Sequence, residues 1–316
     1  MLQLMLMIVL LLPIIVESKG HWSYENITAW SHDDHYCRGN LQSPIDLQFK
    51  KSLFDRRLKP LYLQELKSRG RPKLLNNGHT AQLSLTNHSV LKHVAPASED
   101  YRVEQIHFHW GHSNDTVNGS EHLLEGRSYP LEMHMVTYSS WFSNISEAML
   151  NTRALAVVGV FFELSNKSNS LLQPIVNALK HIRNKDKHVF IDEDFSLKDL
   201  IGVKRMHRYY RYDGSLTTPP CYESVIWSVL QEPLQLSSEQ LQAFQNLHGE
   251  KSELMKNTYR KIQPLHFRKL FRSFVPENIH DNEIKKQISS SKSHGQYLSV
   301  NMKFSFVLMN ILMLIV

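Results

Sequence analysis

The chain of 316 residues is poor in cysteine and shows no internal repeats. Its two cysteines, Cys37 and Cys221, allow at most one internal disulfide, which excludes a scaffold held by several bridges. No basic run is interleaved with aromatic residues, so the sequence does not predict binding to a nucleic acid. Neither terminal apolar stretch reaches the ~20 residues that a membrane-spanning helix needs.

Length and composition instead indicate one large globular domain. A domain of about 250 residues plus processing segments accounts for the chain. Apolar residues make up 42% of it, an ordinary value. The net charge of +6 reflects 36 basic and 30 acidic residues, an excess too small to indicate a partner.

The N-terminal stretch predicts a signal peptide, residues 1–18. Leu2–Val16 is apolar except for Gln3 and Pro13, and Ser18 offers a small residue for cleavage. No Lys or Arg precedes this run, as one usually does.

The C-terminal stretch predicts a glycosylphosphatidylinositol anchor signal at the outer membrane leaflet. Phe304–Val316 is apolar, Lys292–Lys303 is a mostly polar spacer, and Ser289–Ser291 offers small residues. We expect a mature domain at 19–279, a polar stalk at 280–291 and a removed segment at 292–316. The alternative is a buried terminal strand or an amphipathic tail.

Six Asn-X-Ser/Thr sequons favour a glycosylated protein of the secretory route. With the signal peptide they predict an extracellular location, either secreted or anchored at the cell surface. The sequons lie at Asn26, Asn87, Asn114, Asn118, Asn144 and Asn166.

Two histidines separated by one residue stand in a segment of alternating polarity. In Tyr101–Trp110, His107 and His109 share one side of a β-strand, because alternate side chains point to the same face. This side also carries Val103 and Gln105, and the other carries Glu104, Ile106, Phe108 and Trp110. We predict a strand with one buried apolar face and a histidine face that lines a cavity.

A second pair with the same spacing, Glu132 and His134, lies in Leu131–Tyr138. If both segments are strands, three imidazoles meet, and zinc held by three protein ligands keeps the open position of a catalytic site. The alternative is ordinary surface or core histidines, because 18 histidines make chance pairs common. We predict that His107, His109 and His134 bind Zn²⁺.

Gln105 and Glu132 strengthen the metal interpretation. Each stands two residues before a candidate ligand, His107 or His134, and on the same face. A zinc-bound imidazole normally donates its other N–H to such an acceptor. Alone, Gln105 would be a solvent-facing residue, whereas a carboxylate in a buried strand needs a partner.

Three further segments have clear periodicity. Leu155–Leu164 is an almost continuous apolar run that predicts a central strand. Ser170–Arg183 predicts a helix with Pro174 in its first turn. Ser237–Gln240 predicts a capping box that opens a helix ending near Gly249. The apolar face of the Ser170–Arg183 helix comprises Leu171, Leu172, Ile175, Val176, Leu179 and Ile182.

Taken together, the motifs resemble the signature of the α-class carbonic anhydrases. The resemblance runs from about His21 to Phe274, in family order and spacing. The matching segments are Gln42-Ser43-Pro44-Ile45, Asn76-Asn77-Gly78-His79, Gln105–Gly111, Gly119-Ser120-Glu121-His122, Glu132-Met133-His134, Ser215–Cys221 and Arg260–Leu265.

The resemblance implies a fold and a reaction. The fold is α+β and strand-dominated, a single domain around a large, mostly antiparallel twisted sheet with short surface helices. The reaction is zinc-dependent, reversible hydration of carbon dioxide to bicarbonate and a proton, by attack of hydroxide held at the zinc. Carbonic anhydrases are themselves the reference case in which zinc lowers the pKa of bound water to about 7.

The resemblance also implies roles for residues around the zinc. His79 is the proton shuttle, and Thr217 accepts a hydrogen bond from the hydroxide while donating its own to Glu121. Thr218 contacts bicarbonate. Without the resemblance, His79 would be an exposed turn histidine, Thr217 a turn residue and Glu121 an exposed loop acid. An apolar wall for carbon dioxide comprises Val136, Val157, Leu216 and Trp227. Positions that order water toward the shuttle are Tyr24, Asn77 and Gln82.

The two cysteines form either a disulfide or a pair of buried thiols. The resemblance favours a bridge between Cys37 and Cys221, because extracellular members of the family carry a cystine there. A second functional hypothesis is a catalytically weak carbonic anhydrase-like domain that acts in binding or adhesion. Such domains typically lack a zinc histidine, whereas all three are present here.

Overall fold

The computed structural model describes residues 22–65, 70–85, 89–95, 99–112, 117–191 and 195–276. The predicted signal peptide, the predicted stalk and the predicted anchor signal lie outside the described residues. The sequons at Asn87 and Asn114 also lie outside them. No helix within the described ranges is both long and apolar enough to cross a bilayer.

Strands dominate the described part of the chain, and the α-helices there are short. The strands are β1 (Asp46–Leu47), β2 (Ser52–Phe54), β3 (Tyr62–Gln64), β4 (Lys73–Asn76), β5 (Ala81–Ser84), β6 (Val90–Lys92), β7 (Tyr101–Trp110), β8 (Leu123–Leu124), β9 (Leu131–Ser139), β10 (Leu155–Leu164), β11 (His188–Phe190), β12 (Tyr209–Gly214), β13 (Val225–Leu230), β14 (Leu234–Leu236) and β15 (Leu270–Arg272). The helices are α1 (Ile27–Asp33), α2 (Ile145–Ala148), α3 (Gln173–Leu179), α4 (Leu197–Ile201) and α5 (Ser238–Gln245).

One large sheet organises the molecule. Its main path runs β11-β4-β5-β7-β9-β10-β13-β12-β15-β2, with β3, β6 and β14 attached beside it. Pairing is antiparallel except where β10 meets β13 and β14 and where β15 meets β2. The predicted strand-dominated, mostly antiparallel fold is therefore confirmed.

The two faces of the sheet bury different sets of apolar side chains. Ile106, Phe108 and Trp110 of β7 belong to the larger core, as predicted. Val136 of β9 and Val157 of β10 belong to a smaller core on the opposite face. Both faces are covered at β10, which explains the continuous apolar run at Leu155–Leu164.

A β-bulge in β7 corrects one expectation from the sequence. The register with β9 shifts between Val103 and Gln105, so Val103 pairs with Thr137 and Gln105 with Val136. Val103 consequently packs in the larger core, on the face opposite Gln105 and the histidines. The prediction that Val103 shares the histidine face was wrong, because strict alternation ends where a bulge inserts a residue.

The predicted helices form but are shorter than the patterns suggest. α3 has Pro174 in its first turn, as expected, but spans only Gln173–Leu179. Before it, Asn169 Oδ1 accepts the amides of Leu171 and Leu172, which makes a turn there. The capping box of Ser237 and Gln240 is present, and α5 ends at Gln245.

Candidate active site

Three histidines meet on the face of the sheet that holds the smaller core. His107 and His109 project from β7, and His134 stands opposite His107 in the register with β9. Their ring centroids lie 4.5 to 5.2 Å apart. Potential ligand nitrogens of the three rings all lie within 4.8 Å of one another. Strand alternation therefore brings the predicted ligand set together.

One nitrogen of each ring is already bound to an acceptor. The Thr258 carbonyl oxygen lies 2.6 Å from His109 Nδ1, and Glu132 Oε1 lies 2.8 Å from His134 Nε2. His107 Nδ1 contacts the side-chain amide of Gln105, with Oε1 at 3.1 Å and Nε2 at 3.0 Å, and the amide oxygen is the acceptor when Nδ1 carries the proton. An N–H at each of these atoms leaves a lone pair on the other nitrogen. The lone pairs are thus on His107 Nε2, His109 Nε2 and His134 Nδ1.

Burial keeps these imidazoles neutral. It lowers the pKa of His107 well below its ordinary value, and the charges of the two neighbouring imidazoles add to this effect. Burial, followed by the neighbouring His134, lowers the pKa of His109 to about 3. Burial also lowers the pKa of His134. Neutral imidazole is the form that binds a metal ion.

The polar atoms between the rings fit a cation. His109 Nε2 and His134 Nδ1 are only 3.0 Å apart, although both carry lone pairs in the tautomers above. Glu121 Oε2 lies 3.5 Å and 3.8 Å from these two nitrogens. It is buried without a hydrogen-bond partner among the described residues. A cation bound by the three nitrogens would offset the repulsion between these lone pairs and the nearby carboxylate oxygen. Zinc suits three imidazoles with an open fourth position.

Glu121 is held in place from two sides. Its Oε1 accepts the backbone amide of Arg260 at 2.8 Å. Burial raises the pKa of the Glu121 carboxyl well above its ordinary value, while Thr217 and the Arg260 amide act in the opposite direction. Thr217 therefore lies beside the carboxyl, although its hydroxyl makes no standard hydrogen bond to Oε2.

A buried chain of hydrogen bonds supports His134. Glu132 accepts from His134 Nε2 at 2.8 Å, and from His122 through Nδ1 at 2.8 Å and the backbone amide at 2.9 Å. Burial alone would raise the pKa of Glu132, but these two histidines outweigh it and hold the pKa well below its ordinary value. His122 Nε2 also contacts Tyr212 Oη at 2.6 Å. Both nitrogens of His122 are thus engaged, so it supports the site and is not a fourth ligand.

The predicted apolar wall lies next to His134. Val157 of β10 stands between Val136 of β9 and Trp227 of β13 in the sheet register. The Trp227 and His134 ring centroids are 4.8 Å apart. Leu216 packs against the same core and is partly buried. The structure thus brings together all four residues of the predicted wall.

His79 lies apart from the three histidines, in the turn between β4 and β5. Its ring is half-buried and stacks on Trp22 with centroids 4.0 Å apart. Asn77 Oδ1 accepts the backbone amides of His79 and Thr80, both at 2.9 Å. The turn is therefore held by its own side chains and presents His79 at a fixed place.

The residues predicted to order water occupy neighbouring positions. Gln82 stands opposite His107 in the sheet register. Its Oε1 accepts a hydrogen bond from Asn77 Nδ2 at 3.3 Å. Burial and the nearby charge of Glu121 raise the pKa of Tyr24 well above its ordinary value. The Tyr24 ring lies 5.3 Å from that of Trp22, the residue on which His79 stacks.

The cysteines form a disulfide, as the resemblance implied. Cys37 and Cys221 are joined across 184 residues, and both sulfurs are buried beside Trp30. Cys221 directly follows the segment that carries Thr217 and Thr218. The bridge therefore links this segment to the N-terminal part of the domain.

Sequence reasoning missed the supporting roles of several residues. His122 and Arg260 lie in motifs that carry the family resemblance, so the sequence could have indicated a role for them near the site. Tyr212 lies five residues before Thr217, with no comparable signal. Thr258 acts through its backbone carbonyl, which no side-chain pattern can reveal.

Comparison with known proteins agrees with this geometry. A family model described as eukaryotic-type carbonic anhydrase matches residues 25–274. The chain belongs to this family. It is a carbonic anhydrase of the α class, and the family's reaction is the hydration of carbon dioxide.

Individual carbonic anhydrases match over most of their length. The human protein "Carbonic anhydrase 5A, mitochondrial" is 34% identical over 277 residues, covering 82% of this chain and 88% of the relative. Human carbonic anhydrase 12 is 34% identical over 265 residues, covering 80% and 73%. Carbonic anhydrase 6 of Bos taurus is 32% identical over 278 residues, covering 86% of each.

Proposed function

We propose that this carbonic anhydrase binds one zinc ion through His107, His109 and His134 and hydrates carbon dioxide there. The observation that carries the proposal is that nitrogens of these three rings lie within 4.8 Å of one another, while the other nitrogen of each ring contacts Gln105, the Thr258 carbonyl or Glu132. When bound, zinc would supply a Lewis acid that brings the pKa of a coordinated water near 7, as in carbonic anhydrases generally.

The surrounding side chains would orient the reactants. Thr217 Oγ1 would accept a hydrogen bond from the attacking oxygen and donate its own proton to Glu121. The apolar wall of Val136, Val157, Leu216 and Trp227 would hold carbon dioxide and exclude water. Thr218, half-buried beside Thr217, would contact bicarbonate before its release.

His79 would carry the proton from the site to buffer. Histidine is the side chain that ordinarily accepts and releases a proton near neutral pH, which suits residue 79 to this role. Asn77 accepts the backbone amide of His79 and donates to Gln82, and Gln82 stands opposite His107 in the sheet register. We expect these polar side chains to order the waters of a proton relay. The stacking of His79 on Trp22 supports a defined ring position.

Stopped-flow measurement of carbon dioxide hydration, with zinc analysis of the same preparation, tests the proposal. His107→Ala should lose the zinc and lower activity at least about a thousandfold, because several kcal/mol of transition-state stabilisation disappear. His188→Ala, at an exposed histidine of β11, should retain both. A chelator should abolish wild-type activity, and added zinc should restore it.

A zinc-free or inactive wild-type preparation would instead support the binding or adhesion hypothesis. Domains of that kind typically lack a zinc histidine, whereas His107, His109, His134, Glu121 and Thr217 are all present here.

We also propose an extracellular location, either secreted or on a glycosylphosphatidylinositol anchor. The four sequon asparagines among the described residues, Asn26, Asn118, Asn144 and Asn166, are exposed and accessible to glycosylation. The Cys37–Cys221 disulfide suits an oxidising compartment. Release from intact cells by a phosphatidylinositol-specific phospholipase tests the anchor, and retention would contradict it.

A further inference from the structure

A cavity of about 940 Å³ lies away from the proposed zinc site. Arg211 of β12 lines it, and this residue projects from the face of the sheet opposite Tyr212 and the histidines. Seven of the 19 lining residues are Lys or Arg and four are Asp or Glu. The lining includes none of the residues assigned to zinc, carbon dioxide or proton transfer, although it does include Tyr212, whose Oη contacts His122 behind Glu132.

Most of the carboxylates in this cavity are already paired with its cations. The pairs are Asp55 with Arg57 at 2.8 Å, Asp100 with Lys92 at 3.6 Å, and Asp213 with Arg153 at 2.5 Å. The positive excess therefore remains on the other lining residues, and it favours an anionic ligand.

Arg211 supplies a buried positive charge that the described residues do not satisfy. Its side chain is only 6% exposed. Nη1 donates to the carbonyl oxygen of Val94, but Nε and Nη2 are buried without a hydrogen-bond partner among the described residues. Ser228 stands opposite Arg211 in the sheet register, and its hydroxyl is likewise buried and without a partner within the described ranges.

The two unsatisfied groups of Arg211 form one edge of the guanidinium. Nε–H and one Nη2–H point in parallel directions, and this edge binds both oxygens of a carboxylate-like group. Leaving buried charged donors unpaired is costly, so an occupant with two adjacent acceptor oxygens is favoured. Arg268 lines the same cavity but differs, because backbone carbonyls accept from its Nε, Nη1 and Nη2.

We propose that this cavity binds a small planar oxyanion, bicarbonate or an organic carboxylate, through Nε and Nη2 of Arg211. The site is separate from the zinc centre, and its occupation does not depend on the catalytic mechanism.

NMR of the full chain labelled with ¹⁵N-arginine tests the proposal. Sodium acetate and sodium bicarbonate are titrated separately at constant pH and ionic strength, with chloride as the balancing anion. The Nε–H signal of Arg211 should shift and saturate at millimolar concentrations with at least one of the two anions. The anion that shifts the signal shows whether the ligand is bicarbonate, which is a product of the reaction, or an organic carboxylate. The Nε–H signal of Arg268 should stay in place, because its partner is the Leu265 carbonyl.

A second measurement uses Arg211→Lys, which keeps the charge but removes the paired donors. Thermal stabilisation of the protein by the active anion should require concentrations about tenfold higher than in the wild type. An Arg211 signal that neither anion moves would overturn the proposal and leave water or an internal partner as the occupant. Equal shifts of Arg211 and Arg268 would overturn it too. If Arg211→Lys does not fold, the wild-type titration decides alone.

Discussion

At the scale of single residues, the acceptor behind each histidine decides which ring nitrogen is left for the metal. The sequence predicted two of these acceptors, Gln105 and Glu132, because each lies two residues from a ligand on the same strand face. It could not predict the third, the carbonyl of Thr258, which is 149 residues from His109 and has no side-chain signature. Only the folded chain brings the two together.

His79 provides the first prediction at this scale. If water had to accept the proton, a pKa near 7 and diffusion-limited reprotonation would restrict turnover to about 10³ s⁻¹. We expect His79→Ala to lower maximal turnover in weak buffer toward this value. kcat/KM should change little, because carbon dioxide binding and attack do not involve His79. Stopped-flow assays across buffer concentrations measure both constants.

Imidazole in the buffer should restore turnover to His79→Ala. His188→Ala is the control and should behave as the wild type does, because that side chain is exposed on β11. Unchanged turnover of His79→Ala in weak buffer would show that protons leave by another route.

At the scale of elements, local patterns predicted which segments are strands but not every detail of their pairing. The alternation of β7 identified its buried face and its histidine face correctly from Gln105 to Trp110. Val103 does not follow the alternation, because the bulge arises from the pairing between β7 and β9 and not from the sequence of β7 alone. α3 likewise forms where the pattern predicts a helix, but it is shorter. A turn at Asn169 precedes it, and after Leu179 the backbone hydrogen bonds join residues only three apart, such as Ile182 and Leu179.

Asn76 joins the turn that carries His79 to two other segments. It is fully buried, and its Nδ2 lies 3.0 to 3.1 Å from the carbonyl oxygens of Ile182, Arg183 and His248. Its Oδ1 accepts the amide of Gly78 at 2.9 Å. We therefore expect Asn76 to fix the position of His79.

Asn76→Asp tests this role at nearly constant size. A carboxylate has no hydrogen to donate to the three carbonyls, so the turn should shift, and stability should fall by about 1–3 kcal/mol. Maximal turnover in weak buffer should fall by up to about tenfold, with kcat/KM almost unchanged and imidazole restoring turnover. Asn177→Asp, on the exposed side of α3, is the matched control.

The two constants separate this role from a general loss of structure. A parallel fall of kcat and kcat/KM that imidazole does not restore would indicate misfolding only. If His79→Ala slows turnover but Asn76→Asp does not, the result supports His79 as the proton shuttle and contradicts a positioning role for Asn76.

At the scale of the whole molecule, the disulfide joins the first helices to the segment after β12. The closed loop spans 184 residues, so the bridge restricts most of the unfolded chain. In the chain-entropy model, a loop of this length contributes roughly 5 kcal/mol, which is an upper estimate. The bridge also fixes the segment that carries Thr217.

Reduction of the bridge should therefore affect both stability and activity. We expect the free energy of unfolding in urea to fall by up to roughly 5 kcal/mol after full reduction. Carbon dioxide hydration should fall moderately, because the segment of Thr217 loses its covalent anchor. Zinc content should stay constant, because the three ligands are held by the pairing of β7 with β9 and both cysteines lie outside these strands. Identical unfolding curves and activity before and after reduction would contradict this expectation.

The sequence by itself determined the family of the protein, the two faces of β9 and those of β7 from Gln105 onward, and it predicted the three histidines as ligands. These rest on the two-residue period of a strand and on short motifs, both of which are local properties of a chain. Only the tertiary structure decided that Thr258 fixes His109, that Tyr212 and His122 support Glu132, and that Arg211 borders a cavity with two donors unpaired. These depend on contacts between segments that are far apart in sequence. Packing sets the geometry of such contacts, and no local sequence pattern encodes it.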